Sequence, residues 1–204
     1  MTEMIFFEPQ RRDRKLFPHD PFKALVVPRP IGWISTVSAQ GEINLAPYSY
    51  FNAFSSNPPI VGFSSEGDKD SSTFAIETGE FVWSMATWEL RDPMNASAAS
   101  LARGQNEFAH ARLDTAASRL VKPPRVAASP AAFECRVTEL VKLKDLDGTD
   151  SGRRLVLGRV VGIHIDERFV KAGRVDSAAM RPIARGGYDE YSVVERVFSM
   201  PRPA

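Results

Sequence analysis

The stretch Val27–Ser64, VPRPIGWISTVSAQGEINLAPYSYFNAFSSNPPIVGFS, carries most of the information about the fold. It predicts three consecutive β-strands, because β-branched and aromatic residues dominate three segments that turn residues separate. The three segments are Ile31–Ser38, Ile43–Phe51 and Ile60–Ser64. Gly41 and the run Asn57-Pro58-Pro59 supply the turn chemistry between them.

The second half of this stretch mixes aromatic rings with small polar side chains. The rings are Tyr48, Tyr50, Phe51 and Phe54, and the polar side chains are Ser49, Asn52, Ser55, Ser56 and Asn57. A plain core strand would carry Val and Leu at these positions. Because rings beside hydroxyls and amides suit a flat, partly polar ligand, we place the candidate site here.

Length and composition indicate one domain with a single core. The chain has 204 residues, 43% of them hydrophobic, and no repeat, linker or shift in composition divides it. We expect an N-terminal arm over residues 1–20 and one domain over residues 21–204. The 26 basic and 25 acidic residues nearly cancel, which argues against nucleic acid and acidic membrane surfaces as partners. Neither a membrane span nor a signal-peptide core is apparent, so we expect a cytoplasmic protein.

Downstream segments predict further strands and short helices. Residues 65–73 are polar and lead to Gly79, which predicts a short helix that begins at Asp70 or at capping hydroxyls. A second helix is expected within 88–103 and a helical turn over 175–180. The expected later strands cover 81–86, 132–143, 154–166 and 191–198. Together these elements predict a mainly β domain, with six or seven mostly antiparallel strands in a barrel and short helices outside it.

Several catalytic classes lack the residues that they require. The single cysteine, Cys135, alternates with Phe133 and Val137, so we interpret it as a buried small hydrophobe. The three histidines stand far apart, and no metal-binding spacing, nucleophile elbow, P-loop or dinucleotide fingerprint occurs. We therefore expect no metal and no catalytic residue of the protein's own, and a chemistry supplied by an organic cofactor.

The polar run before Gly79 indicates a phosphate site. Lys69, three hydroxyls (Ser71, Ser72 and Thr73) and a predicted helix start fall within nine residues. Free N–H groups at a helix start bind anions, and lysine and hydroxyl groups add donors. The alternative is an ordinary solvated helix cap. Beside the aromatic stretch the phosphate interpretation gains weight, because one ligand could carry a flat ring at one end and a phosphate at the other.

The motifs, taken in order, resemble the flavin reductase-like family of the FMN-binding split barrel. They are PRPIGWISTVSAQGEINLAPYSYFNAFSSNPPIVGF, KDSSTFAIETGEFV and MNASA, followed by PPRVAASPAAFECRV, LVLGRVVGIHID and RPIARGGYDEY. The resemblance covers residues from about Phe22 to Tyr191. This family includes flavoredoxin-like proteins and the reductase components of two-component monooxygenases. The resemblance implies a Greek-key split β-barrel that forms a homodimer, with FMN near the subunit interface.

The resemblance also implies which residues hold FMN. Along the flavin ring it places Trp33, Ile34, Ser35 and Thr36. At the ring edge and the ribityl chain it places Ser49, Tyr50, Phe51, Asn52 and Ser55. At the phosphate it places Lys69, Asp70 and Ser71, with Ser72 and Thr73 as neighbours. Asn95 is expected to face the flavin or the substrate, and Phe74 departs from the Asn that family members commonly have.

The implied activity is NAD(P)H-dependent flavin reduction, in which hydride passes from the nicotinamide to flavin N5, and a flavin-dependent monooxygenase is an implied partner. Short flavin reductases often carry G-D-H ahead of the penultimate long strand, where this chain has Gly152-Arg153-Arg154. We interpret His164, at the far end of that strand, as structural.

Two alternative functions stay open: an oxidoreductase or electron carrier that holds FMN tightly and has its own substrate, and a non-enzymatic flavin binder.

Overall fold

Short helices and many strands make up the chain, which a computed structural model describes over residues 3–102 and 105–203. The helices are α1 (Phe22–Leu25), α2 (Asp70–Thr78), α3 (Arg91–Ala96) and α4 (Glu107–His110), with 3₁₀ turns at Pro9–Arg11 and Glu167–Phe169. The strands are β1 (Arg29–Pro30), β2 (Gly32–Val37), β3 (Ile43–Tyr48), β4 (Phe51–Ser56), β5 (Pro59–Glu66), β6 (Glu80–Ser84), β7 (Thr115–Ala116), β8 (Arg125–Val126), β9 (Ala131–Lys144), β10 (Asp150–Ile165), β11 (Val170–Lys171), β12 (Arg174–Val175), β13 (Ile183–Arg185) and β14 (Tyr191–Val193).

One antiparallel sheet of seven strands forms the body of the domain. Its strand order is β3-β2-β6-β9-β10-β5-β4, and a smaller sheet has the order β1-β13-β14. The large sheet curls until its ends approach each other, since Tyr48 Oη on β3 lies 3.5 Å from Ser65 Oγ on β5. This architecture confirms the predicted mainly β, antiparallel class with short peripheral helices.

The aromatic stretch differs from the predicted three-strand meander. The expected middle strand Ile43–Phe51 is in fact two strands, because β3 ends at Tyr48 and β4 begins at Phe51. β3 pairs with β2 at one edge of the sheet, whereas β4 pairs with β5 at the other edge. Ser49 and Tyr50 form the bend that carries the chain between these two edges. The prediction of a simple meander is therefore wrong.

Two apolar clusters lie on the two faces of β2. Ile34 packs with Phe63 in the cluster on one face of the sheet, and Trp33 packs with Leu45 and Met94 in the cluster that includes residues of α3 and α4. Successive side chains of a strand point to opposite faces. Because both faces of β2 are covered, every residue from 31 to 36 is buried.

Some predicted elements are shorter in the structure or absent from it. The helix expected within 88–103 covers only six residues of α3, because the Ser97 hydroxyl donates to the Met94 carbonyl at 2.7 Å and closes the last turn. The expected last strand over 191–198 stops at Val193. The helical turn expected over 175–180 is absent: Val175 ends β12, and residues 177–180 form a turn in which Asp176 Oδ1 accepts the Ala179 N–H at 3.1 Å. No helix among the described residues is long and apolar enough to cross a membrane.

Candidate functional site

An open cavity of about 540 Å³ lies where β3, the bend after it and the start of α2 meet. Its size falls within the range of roughly 300–1,000 Å³ that is typical of small-molecule sites. The predicted site residues that line it are Ser49, Tyr50, Lys69, Asp70 and Ser71. The structure thus brings together residues of the aromatic stretch and residues of the polar run that follows it.

The start of α2 leaves backbone donors available in this cavity. Lys69 is the N-cap residue, and its side chain makes no capping hydrogen bond to the first turn. The helix begins at Asp70, as one of the two predicted alternatives has it, and not at a capping hydroxyl. Ser71 Oγ donates instead to Asn44 Oδ1 at 2.5 Å, and Ser72 Oγ donates to the Lys69 carbonyl at 3.0 Å. The first N–H groups of the helix keep their capacity to bind an anion.

Carboxylates share this cavity with the basic side chains. Glu66 pairs with Arg153, with 2.9 Å between Oε2 and Nη1, and both line the cavity. Glu107 is 8% exposed, and its Oε2 accepts the Leu45 N–H at 3.1 Å. Burial raises the pKa of Glu107, with a smaller contribution in the same direction from Asp70. Protonation of Glu107 therefore requires less acid than for an exposed glutamate and brings the cavity closer to neutrality.

Tyr48 supplies a neutral hydroxyl to the cavity wall. Its ring packs on Phe63 with 4.9 Å between centroids, and its hydroxyl lies near Ser65. Burial raises the pKa of Tyr48 and outweighs the hydrogen bonds from Ser65 and Ser71, which lower it. The phenol consequently keeps its proton at neutral pH and can act as a donor.

The four predicted ring contacts of β2 do not line the cavity with their side chains. Trp33 Nε1 donates to Ser97 Oγ at 2.9 Å, and Ser35 Oγ donates to the Pro124 carbonyl at 2.5 Å. Ile34 lies in the core, and Thr36 Oγ1 is buried with no hydrogen-bond partner in the described ranges. These residues form the wall behind the site, and a direct contact with a flavin stays a prediction.

Four other predicted site residues lie outside the lining of this cavity: Phe51, Asn52, Ser55 and Ser72. Phe51 stacks on Trp83 with 5.7 Å between centroids and 5° between planes, which is core packing. Asn52 is exposed on β4 and accepts the Ala53 N–H at 2.8 Å. Their roles toward a ligand also stay predictions.

A second cavity of about 480 Å³ adjoins the first and shares Pro47, Ser49 and Ala98 with it. Asn95 lines this second cavity, so the structure places it beside the predicted ring-edge residue Ser49. Arg29 also lines the second cavity and is not among the predicted site residues. Pro28 and Pro30 flank Arg29 in the sequence, and this pattern is the signal that could have indicated it.

His164 has a structural environment, as the sequence indicates. Its Nε2 lies 2.5 Å from Glu134 Oε1 on the neighbouring strand, and it lines neither cavity. Cys135 is fully buried, which confirms its interpretation as a small hydrophobe, and burial raises the pKa of its thiol far above the ordinary range. Among residues 3–102 and 105–203, no three His, Cys, Asp or Glu side chains cluster in a way that could hold a metal ion.

Comparison with known proteins agrees with this geometry. The model of the flavin reductase-like domain matches residues 24–178. A Deinococcus radiodurans protein is 37% identical over 195 residues, which cover 88% of this chain and 82% of that protein. The nitrilotriacetate monooxygenase component B of Bacillus cereus is similar over 98% of this chain and 100% of its own, with 29% identity and a TM-score of 0.87. A Shewanella frigidimarina protein with a split barrel domain has a TM-score of 0.85 at 20% identity over 98% of this chain and 100% of its own, and confirms the split-barrel fold. This chain belongs to the flavin reductase-like family.

Proposed function

We propose that the protein is an NAD(P)H-dependent flavin reductase that binds FMN in the first cavity. One observation carries the proposal: the start of α2, with Lys69 as its N-cap residue, lies in the same cavity as two tyrosines, Tyr48 and Tyr50. The helix start and Lys69 suit a phosphate, and the aromatic walls suit a flat ring. The family assignment supports a flavin-related oxidoreductase role.

The residues present fit FMN in their donor chemistry. Lys69 and the first N–H groups of α2 would hold the phosphate, with attraction from the positive end of the helix dipole. Ser49 and the neutral hydroxyl of Tyr48 would donate hydrogen bonds to polar atoms of the ligand, and Tyr50 would flank it. Bound FMN would supply hydride acceptance from a nicotinamide and onward electron transfer. The protein's part is to bind, to orient and to limit water, and this requires no acid or base.

The proposal extends to the assembly and its partners. A homodimer with the site near the subunit interface, and a cytoplasmic location, are the expectations that accompany the resemblance and the sequence. The similar Bacillus cereus protein is a monooxygenase component, which supports a flavin-dependent monooxygenase as recipient of the reduced flavin. Sedimentation equilibrium on the purified protein tests the dimer, for which we expect twice the 22.6 kDa chain mass.

A spectroscopic experiment tests the activity. FMN is added to the purified protein under argon, its binding is followed by fluorescence quenching, and NADH or NADPH is then added. We expect FMN fluorescence to be quenched, the flavin absorption band to bleach with one of the nucleotides, and nucleotide oxidation in air to increase with added FMN. A well-folded protein that takes up no FMN would refute the proposal.

A second candidate function has a specific observation in its favour. Arg153 lines the first cavity and pairs with Glu66, and the next residue, Arg154, stands where short flavin reductases often carry the histidine of G-D-H. A missing nicotinamide-side histidine favours an oxidoreductase or electron carrier that keeps FMN and has its own substrate. FMN that stays bound through purification, together with slow oxidation of both nucleotides, would favour this candidate. A bound flavin that neither nucleotide reduces would instead favour a non-enzymatic flavin binder.

A further inference from the structure

The second cavity carries an excess of positive charge. The charged residues that line it are Lys23, Arg29, Arg185 and Asp20, so three bases stand against one acid. The first cavity has the opposite balance, with three acids (Glu66, Asp70 and Glu107) against two bases (Lys69 and Arg153). The charged residues of the second cavity therefore attract an anionic group on a ligand, whereas the acids of the first cavity repel one except near its basic residues.

Two of these bases face each other across a strand pair. Arg29 on β1 and Arg185 on β13 are direct partners in the antiparallel register. Directly opposite residues of such a pair point to the same face of the sheet, and like charges in this arrangement repel each other. A bound anion between or beside the two guanidinium groups would relieve this repulsion.

Within residues 3–102 and 105–203, neither guanidinium group has an effective counter-charge. Arg29 is 7% exposed and donates to the carbonyls of Lys23, Val26 and Gly186, with 2.7 Å for each of the last two. Carbonyls fix the position of a guanidinium but do not neutralise it.

Arg185 donates to Tyr191 Oη at 2.6 Å and to the Tyr188 carbonyl. Its acidic neighbour is Asp189, at 3.4 Å, and that side chain is fully exposed. An ion pair with so exposed a carboxylate contributes little, because water screens it. The charge of Arg185 therefore remains available to a ligand.

We infer that the second cavity binds the oxyanion of the planar molecule that exchanges electrons with the flavin. That this molecule is the redox partner of the flavin rests on the proposed function, because the proposed function places FMN in the adjoining first cavity. Tyr188 and Tyr191 add aromatic walls, and Asn95 adds an amide. The shared residue Ser49 marks the boundary between the two ligands. The anionic group can come from the carboxylate of a small aromatic acid or from the phosphate of a nicotinamide nucleotide.

Two matched pairs of probes test the inference on the FMN-loaded protein by titration calorimetry. Benzoate is compared with benzamide, and nicotinamide mononucleotide with nicotinamide riboside, so that each pair differs in the anionic group. We expect the anionic member of at least one pair to bind about tenfold more tightly than its neutral partner, as is typical of one charge-assisted hydrogen bond. Tighter binding of benzoate than of benzamide identifies the ligand as an aromatic acid. Tighter binding of nicotinamide mononucleotide than of nicotinamide riboside identifies it as a nucleotide with a phosphate.

Variants connect the preference to this cavity. Lys23→Gln and Arg185→Gln should each reduce the preference several-fold, whereas Lys144→Gln, the same change at an exposed position on β9, should leave it intact. Arg185→Lys keeps the charge and should retain part of the preference. Arg29 is left unchanged because its three carbonyl contacts hold the local fold. A preference that survives the double variant Lys23→Gln/Arg185→Gln, or no preference in either pair, overturns the inference.

The same titrations distinguish this inference from the proposed function. FMN uptake without any anion preference overturns the anion site and leaves the flavin site standing. Anion preference in the flavin-free protein, together with no FMN uptake, overturns the flavin site and with it the assignment of the anion as the flavin's redox partner. Circular dichroism of Lys23→Gln, whose side chain is exposed, confirms that a lost preference does not reflect unfolding.

Discussion

At the scale of single residues, Lys69 offers the most direct test of which end of the ligand lies at α2. Lys69→Ala removes the side-chain charge of the helix N-cap residue. We expect FMN to bind about tenfold more weakly, because one charge-assisted contact to the phosphate is lost. Riboflavin, which lacks the phosphate, should bind unchanged. Fluorescence quenching with both flavins measures this, Lys144→Ala serves as the control, and equal losses for both ligands would contradict a phosphate at Lys69.

Glu107 should make FMN binding depend on pH. Burial raises the pKa of Glu107, so the carboxyl is protonated up to a higher pH than an exposed glutamate would be. As pH rises through that raised pKa, a negative charge appears in the cavity and FMN binding should weaken. Glu107→Gln should bind FMN more tightly than the wild type on the alkaline side and equally on the acid side.

The same raised pKa of Glu107 has a consequence for stability. Between the unfolded and the raised folded pKa the native state holds more protons than the unfolded state. The contribution of this carboxyl to the free energy of unfolding is therefore present at low pH and is lost as pH rises through the folded pKa. Quenching titrations and urea unfolding across this range check both effects, and parallel pH profiles for the wild type and Glu107→Gln would show that Glu107 is not responsible.

Residue types alone identified part of the candidate site. The mix of rings and hydroxyls, unusual for a core strand, indicates Ser49 and Tyr50, and the polar run at a helix start indicates Lys69; all three line the first cavity. Trp33 and Ser35 were placed along the ligand by resemblance, yet their side chains are buried and hydrogen-bonded within the protein. Sequence could not reveal this, because the partners that bury Trp33 and Ser35 come from the end of α3 and from the loop at Pro124, far away in the chain.

At the scale of elements, Glu134 ties a loop to the longest strand pair of the sheet. The carboxylate is fully buried and accepts the N–H groups of Arg119 and Leu120 at 2.7 and 2.6 Å. Its third partner is His164 on β10, at 2.5 Å. One side chain thus joins β9, β10 and the loop before β8. Burial raises the pKa of Glu134, but the contacts with His164 and the two N–H groups outweigh it, so that the pKa is lowered overall.

Glu134→Gln should therefore destabilise the protein by about 2–4 kcal/mol at neutral pH, because a buried donor loses its acceptor. Since the folded pKa of Glu134 is lowered, its stabilisation is present above the unfolded pKa and is lost as pH falls through the folded pKa. The difference between wild type and variant should accordingly shrink in acid. Urea unfolding at neutral and acid pH measures it, with Glu139→Gln, an exposed change on the same strand, as the control. A difference that stays constant with pH would exclude the ionised carboxylate as the cause.

Local chemistry predicted the elements better than their partners. Gly79 was expected to end α2, and it does so with φ of 73°, a conformation that favours glycine. The aromatic run through Tyr48 and Tyr50 contains the end of β3 and the bend before β4, which the sequence pattern does not separate. β-propensity carries no information about which edge of a sheet a segment joins. That choice depends on pairing with β2 and β5, which lie in different hairpins.

At the scale of the whole molecule, the first cavity lies beside the bend that joins the two edges of the seven-stranded sheet. β3 and β4 are the two ends of the strand order, and Ser49 and Tyr50 connect them. The start of α2, which follows β5, supplies the other side of the cavity. A ligand held by both sides would bridge segments that belong to opposite ends of the sheet, so its binding energy should appear as stability of the entire fold.

FMN should therefore raise the free energy of unfolding of the whole domain. A ligand that binds only the native state at 100 times its dissociation constant adds about 2.7 kcal/mol. For a domain of this length that corresponds to a rise in the unfolding midpoint of roughly 5–10 °C. Riboflavin at the same concentration should raise the midpoint less, and Lys69→Ala should reduce the FMN shift without changing the midpoint of the flavin-free protein much, because Lys69 is exposed. Differential scanning calorimetry measures all three, and a midpoint that saturating FMN leaves unmoved would show that the cavity does not hold the flavin in the native state.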